Sequence, residues 1–464
     1  MKILSREIIA MLPRSIVCFC LMHFLVLSPG YADDVELIRV AAFQVDASPP
    51  IGAPMAYDPV KGIQSPLSCR GLVILSEQKP IVLVSVDWIG IASGGQTVFR
   101  ETLAEAVGTE PTRVCVHTIH QHDAPRCDFD ADALLVAEGL ENSGFDARHA
   151  RSVIDNASLA LKEAIVRAQP VTHIGLGDGT VEKVASNRRI LGPDGKVMHT
   201  RYTATKDPKI RAFPAGTIDP ILKSISFWNG EKPIAVLTYY ATHPQSYYRT
   251  GMANPDFPGM ARNQQEEETG IPHIHFNGAG GNIGAGKWND GSHGNRQILA
   301  DRVQEGMKQA WESTKKVAVK SSDLTWRTVD VLLPCADHLN EETLLASIAN
   351  KEATASDRWT AAKHLVWLRR CQAKDPIQIS CLGVRQARVL HMPGELFVEY
   401  QLAAQKMTPK YFVAMAAYGD YAPGYICTDI AYSQGGYESS NRASRVKRGV
   451  EEVLINAMQT LLSN

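Results

Sequence analysis

Val114-Cys-Val-His-Thr-Ile-His-Gln-His-Asp-Ala-Pro125 runs from an apolar, strand-like segment directly into a polar turn that carries His120, His122 and Asp123. The imidazoles are therefore expected where a buried strand ends and a loop begins. Neutral imidazole is a common zinc ligand, and side chains two apart on an extended backbone share a face. One member of the His120-x-His122 pair can bind a metal while the other stands beside it, facing a substrate. Taken alone, a His-x-His is commonly part of a polar loop, so the reading depends on what the rest of the chain supplies.

Upstream, the chain begins as an export leader would. Lys2, Arg6 and Arg14 form a basic start, residues 15–27 are mostly apolar but short for a membrane span, and Gly30-Tyr-Ala32 offers small residues for cleavage. Residues 1–32 are read as a signal peptide and 33–464 as one hydrolase domain, which places the mature protein in the periplasm or outside the cell. Apolar residues make up 45% of the chain and charged residues 21%, with net charge −1, a balance that fits a globular enzyme and excludes a basic surface for nucleic acid. No linker or repeat divides the chain, so a single large mixed-sheet α/β domain with its site at strand ends is expected. Removing Cys18 and Cys20 leaves seven of the nine cysteines, without CxxC spacing. Neither a disulfide framework nor a cysteine zinc site is indicated; Cys371 with Cys381, or Cys115 with Cys127, are the pairs near enough in sequence to bridge.

Strand-like and helical segments alternate. Residues 37–43, 72–76 and 81–91 read as strands, the last ending near Asp87, and 96–106 as a helix before the Val114 strand. This order favours parallel neighbours, whose carboxyl ends collect active-site residues. Residues 152–168 form an amphipathic helix with Val153, Ala157, Leu161 and Ala164 on one face. Strands at 222–228 and 234–240 lead to His243-Pro244, a second histidine at a strand end. Arg188, in Ser186-Asn-Arg-Arg189, either orients a carbonyl with its fork of donors or is a solvated loop charge.

Residues 271–286 read as a strand entering a glycine-rich loop that would cradle an oxyanion; it lacks the spacing of a phosphate loop. His273 and His275 lie inside the apolar part and read as core. Lys287 and Asp290 either touch substrate or cap the next helix, which spans 297–314. A helix at 356–370 is given Ser356 as N-cap, and strands follow at 378–384 and 387–391. Glu395, in Met392-Pro-Gly-Glu395, is placed in the first turn of a helix running to Ala404. After a strand at 412–416 come Tyr418, Tyr421, Tyr425, Tyr432 and Tyr437, whose bland reading is surface packing, and an amphipathic helix at 441–462.

From about Val40 onward the chain resembles the neutral/alkaline (non-lysosomal) ceramidase family. His120-Gln-His-Asp-Ala-Pro125 stands for its His-Thr-His-Ser-Gly-Pro motif, His243-Pro244 for its strand-end His-Pro, Glu395 for its Pro-Gly-Glu and Tyr437-Glu438 for its Tyr-Glu. The resemblance implies Zn2+ held by His120, His243, Glu395 and Tyr437, with His122 and Arg188 positioning and polarising the scissile carbonyl. Asp123, Asn282, Gly284, Lys287 and Asp290 are then expected on the substrate side. In two places the sequence departs from the family. Gly284 stands where the family has a loop serine, so attack is assigned to metal-activated water, and Asp123 replaces serine, which suits a polar substrate. No counterpart of the family's C-terminal β-sandwich is expected after the closing helix.

The resulting expectation is an exported zinc-dependent amide hydrolase acting on a small-molecule or lipid amide. A lipid substrate would bring peripheral membrane contact, and the oligomeric state is open. Two alternatives stand beside it: a zinc esterase or amidase for small polar or sugar-linked acyl groups, and a non-catalytic member that binds lipid or glycan.

Overall fold

Three sheets each contain one parallel pair of strands, and those pairs decide where the site lies. The computed structural model describes residues 37–141 and 143–463; the expected leader lies outside the described residues. The first sheet has the order Val114–Thr118, Ile81–Val86, Ser68–Leu75, Ile38–Asp46, Gln169–Val171. Only Ile81–Val86 with Val114–Thr118 is parallel in it. The second runs His273–Asn277, Lys232–Tyr240, Ile221–Asn229, His173–Thr180, Lys315–Ala318, with its parallel pair formed by the first two. Leu324–Val331, Ile377–Val384, Ala387–His391 and Phe412–Ala416 make the third, and its last two strands are parallel.

Strands covered on both faces should be apolar throughout rather than alternating. Ser68–Leu75 and Ile81–Val86 are buried at every position. Leu72 and Leu83 of the first sheet, Ile225, Leu237 and Phe276 of the second, and Val389 and Ala414 of the third share one apolar core. Helices cover the other faces. Ala147–Val166 turns Val153, Ile154, Ala157 and Leu161 inward, and burying each of its large aliphatic side chains contributes roughly 1.5–3 kcal/mol. A charge at Leu161 would break that face. The described residues form one compact unit of mixed α/β architecture.

Four local expectations are corrected. The helix at 355–372 is capped by Thr354, whose side chain accepts from the Asp357 N–H, not by Ser356. The closing helix is Val450–Leu462, because the preceding stretch is drawn into tertiary contacts: Arg445 N–H donates to Pro423 O, Lys447 N–H to Pro334 O, and the Ser444 hydroxyl to Tyr425 O. Glu395 sits in a two-residue strand paired with Tyr425–Ile426, ahead of the helix Val398–Met407. Gly394 makes that bend at φ 60°, and a Cβ there would meet the Gly424 carbonyl at 2.7 Å. Finally, the described cysteines are all free, and the neighbour of Cys371 is Cys335 rather than Cys381.

Candidate metal centre and active site

His120 follows Val114–Thr118, His243 follows Lys232–Tyr240, and Glu395 follows Ala387–His391, so each leaves the carboxyl end of a strand belonging to a parallel pair. The three strand ends are tied together. Asn277 donates its side-chain amide to Ile119 O at 2.7 Å and Thr242 O at 3.4 Å, Ala417 N–H donates to Asn277 O, and Thr118 N–H donates to Tyr418 O. His120 itself adopts φ 61° and stacks on Tyr418, another residue of positive φ, with ring centroids 4.5 Å apart. Such backbone costs of order 1–3 kcal/mol and persists where the surroundings over-determine it.

His120, His122 and His243 bring one ligand atom each within 4.8 Å of one another, all three buried. Each ring is oriented by a backbone carbonyl on Nδ1: Ile89 O at 2.6 Å, Pro244 O at 3.2 Å and Gly280 O at 3.3 Å. A carbonyl only accepts, so each Nδ1 carries the proton and each Nε2 presents a lone pair. This is the outer support that metal-binding histidines use. Burial first, then the neighbouring His120 imidazole, pushes His122 and His243 well below the ordinary histidine range, which keeps them in the neutral, ligating form.

Glu395 completes the group. Tyr421 donates its hydroxyl to Oε1 at 2.5 Å, while Oε2 faces His120 Nε2 at 3.2 Å. Burial acts to raise the Glu395 pKa, and the hydroxyls of Tyr421 and Tyr425 act against it. Glu395 Oε2, His120 Nε2 and His243 Nε2 are buried without a hydrogen-bond partner. Acceptors left facing one another in this way are costly, and a cation among them satisfies all at once. The residues present therefore fit a metal ion with mixed imidazole and carboxylate ligands.

A cavity of about 810 Å³ opens over this group. His120, His122, His243, Glu395 and Arg188 line it, together with Tyr57, Tyr202, Tyr421, Tyr425 and Tyr437. Arg188 is fixed by Glu438, 3.2 Å from its Nε, and by the Tyr425 hydroxyl, which accepts from Nη1 at 3.2 Å. Burial alone would lower its pKa; Tyr425 and Glu438 reverse that, so its charge is permanent. Tyr437 packs edge-on against Tyr425 and Tyr202, at 5.7 and 6.0 Å between centroids, and the phenol that bonds the carboxylate is Tyr421.

The residues expected on the substrate side fall elsewhere. Asp123 accepts from Arg249 N–H and from Thr250, pinning a loop. Asn282 accepts from Val398 N–H and donates to Glu399, orienting the start of Val398–Met407. Lys287 donates to Arg211 O and Phe213 O, and Asp290 accepts from Ser292 N–H and Asn295 ahead of the helix Gly294–Glu312. Gly284 pairs with Ser186, with the Arg188 side chain 3.3 Å from where its Cβ would be. None of the five lines the cavity.

Nor does the glycine-rich loop cradle an oxyanion. None of its residues lines the cavity, and four of its N–H groups are engaged within the protein: Gly278 on Tyr240 O, Ala279 on Gln401, Gly281 on Leu396 O and Ile283 on Gly280 O. The glycines serve close packing of backbone on backbone. A Cβ at Gly280 would lie 2.0 Å from Thr242 O, and one at Gly281 2.3 Å from Glu395 O, so the loop locks the segments that present His243 and Glu395. Asp87, at the edge of its apolar run, is likewise structural, accepting from Arg262 at 2.6 and 2.9 Å.

Sequence reasoning missed Tyr57, Tyr421 and Tyr425. The tyrosine-rich loop was a signal for the last two; Tyr57 carries none, since only folding brings its ring 5.9 Å from that of His122.

No protein-family model matches the chain, and no curated protein matches it. Solved structures do. A ceramidase complexed with C2 superposes with TM-score 0.66 at 16% identity, over 92% of this chain and 75% of that one. The neutral ceramidase from Pseudomonas aeruginosa gives 0.65 at 16% identity, with the same coverage. The chain has the neutral-ceramidase fold. Within that fold, the convergence of His120, His243 and Glu395 at three strand ends is a property of this chain itself.

Proposed function

We propose that the protein is an exported, zinc-dependent hydrolase of linear amides, related to the ceramidases in chemistry as well as in fold. The observation that carries this reading is the convergence of three oriented imidazoles and the Glu395 carboxylate, with Oε2 and two Nε2 atoms unpartnered, beneath a cavity. His120, His243 and Glu395 would hold the ion, and Tyr437, assigned by the resemblance, would complete its set. Bound there, zinc supplies Lewis acidity, polarising a carbonyl and making water acidic enough to attack at neutral pH.

The chain's own residues do the rest. Arg188, anchored by Glu438, presents a fixed positive charge toward the cavity and stabilises negative charge developing on the carbonyl oxygen. His122, with Nδ1 held by Pro244 O, keeps an Nε2 lone pair that would take a proton from the attacking water and hand it to the leaving nitrogen. The tyrosine rings fix the substrate's orientation.

A second reading concerns the substrate rather than the chemistry. Tyrosines and arginines, with Ile89 as the sole large aliphatic side chain, line the cavity among the described residues. That lining favours a small polar or sugar-linked acyl group, on an amide or an ester, over two long alkyl chains. Turnover against a panel running from short polar N-acyl amines and esters to N-acyl sphingosine, repeated with His120→Ala, tests both. Hydrolysis of the short members that is lost in the variant supports the proposal. Absence of turnover across the panel by zinc-loaded protein would point to a binding protein instead.

A further inference from the structure

A second group of metal-binding side chains stands at the start of the same strand. Cys115 and His117, two apart on Val114–Thr118, share a face. Opposite them is His391, at the end of Ala387–His391, whose register partner is Ser380. Cys115, His117 and His391 bring one ligand atom each within 4.8 Å of one another, at a place where the first and third sheets meet.

The ring of His117 is oriented as a ligand would be: its Nδ1 lies 2.8 Å from Ala417 O, so the proton is there and the Nε2 lone pair is free. His391 is 3% exposed, and neither of its ring nitrogens has a partner. Cys115 Sγ contacts only the Ser380 hydroxyl, at 3.1 Å, among the hydrogen bonds of the described residues. All four side chains line a cavity of about 40 Å³. A water needs roughly 10–15 Å³ of such space, so an ion with one water is accommodated. The two guanidiniums that also line it are engaged, Arg370 with Asp420 and Asp375, and Arg100 with Gln378.

We propose that Cys115, His117 and His391 form a second transition-metal site, separate from the His120 centre, that binds a thiophilic ion such as zinc and pins the first sheet to the third. One thiolate and two neutral imidazoles select a soft or borderline ion over magnesium or calcium. Binding replaces the Cys115 S–H bond by a sulfur–metal bond and releases one proton to solvent. The role is structural, because the ligands lie outside the lining of the large cavity.

Cobalt is the probe, since a thiolate on Co2+ gives a near-ultraviolet charge-transfer band that imidazole and carboxylate do not. Titration of the metal-stripped full chain is expected to saturate at about two ions per chain, with that band present. Cys115→Ser should remove the band and about one equivalent, leaving amide hydrolysis in place. His391→Ala should weaken the band-forming step at least ~10-fold. A wild-type chain saturated with cobalt and showing no band overturns the proposal without recourse to any variant. So does a band that persists undiminished in Cys115→Ser, which would put cobalt on another thiol. Should the His120 centre fail instead, the band remains with about one ion per chain.

Discussion

At Glu395 two hydroxyl and imidazole contacts divide the carboxylate's work. Tyr421 bonds Oε1, leaving Oε2 to face His120. Tyr421→Phe is expected to loosen the carboxylate and weaken zinc binding roughly 10–100-fold, as loss of outer-shell support does. Tyr437→Phe, which removes the phenol proposed to complete the ion's set, should weaken it more, and equilibrium dialysis of the two variants ranks them; a smaller loss in Tyr437→Phe would contradict that ligand assignment. Arg188→Lys keeps the charge but not the planar fork that meets Glu438 and Tyr425 together. Turnover should fall about 100-fold with zinc content unchanged. His120 and His243 were legible because the pattern of strand, then histidine, recurs; Glu395 came only with the resemblance, since a glutamate placed in a helix's first turn reads as a match to the helix dipole. Tyr421 was not legible, since one tyrosine among five in a loop is indistinguishable until the chain is folded.

At the scale of elements, the sequence read well where burial is one-sided or complete. The strands at 222–228, 234–240, 378–384, 387–391 and 412–416 fall within or on observed strands because their apolar residues either alternate or run continuously. It read poorly where distant backbone decides. The glycine-rich loop looked like a ligand cradle, yet its glycines are required by the Thr242 and Glu395 carbonyls, 38 and 114 residues away for Gly280 and Gly281 respectively. Lys287 was ambiguous for the same reason, its carbonyl partners on Arg211 and Phe213 lying 76 and 74 residues away, whereas Asp290 bonds Ser292 and Asn295 ahead of the next helix, the alternative its local sequence also offered. Gly280→Ala is therefore expected to disturb His243 through Thr242, costing about 1–3 kcal/mol of stability, with zinc affinity falling too. Thermal unfolding and zinc dialysis on the same sample check this; unchanged values would mean the loop yields more readily than its contacts imply.

For the molecule as a whole, buried histidines set the response to acid. Burial lowers His117 and His273 to about 4, His275 to about 3 and His364 to about 2, against 6.5 for an ordinary histidine. Between those values and 6.5 the unfolded chain binds more protons than the folded one, so stability is full above 6.5 and falls as pH drops below it. Each such histidine contributes about 1.4 kcal/mol per pH unit across its window. Asp128, pushed up to about 7 by burial, acts oppositely, losing stability as pH rises toward 7, and offsets one of them. Urea midpoints measured from pH 7 to 5 should therefore decrease steadily; a flat profile would show that these rings titrate freely. The three-sheet arrangement itself was only partly legible. Local patterns indicated mixed α/β, but which strand ends meet is decided by a core shared among strands more than 300 residues apart, as Leu72 and Val389 are.

The most direct measurement is zinc titration of chelator-stripped Cys115→Ser protein, in which the second thiolate-bearing group is disabled, followed by hydrolysis of a short N-acyl amine at each point. Activity is predicted to rise in proportion to bound zinc and to level off at about one ion per chain, with neither binding nor turnover in the same protein carrying His120→Ala. Full turnover by the stripped protein, or zinc binding that is indifferent to His120, would contradict the account.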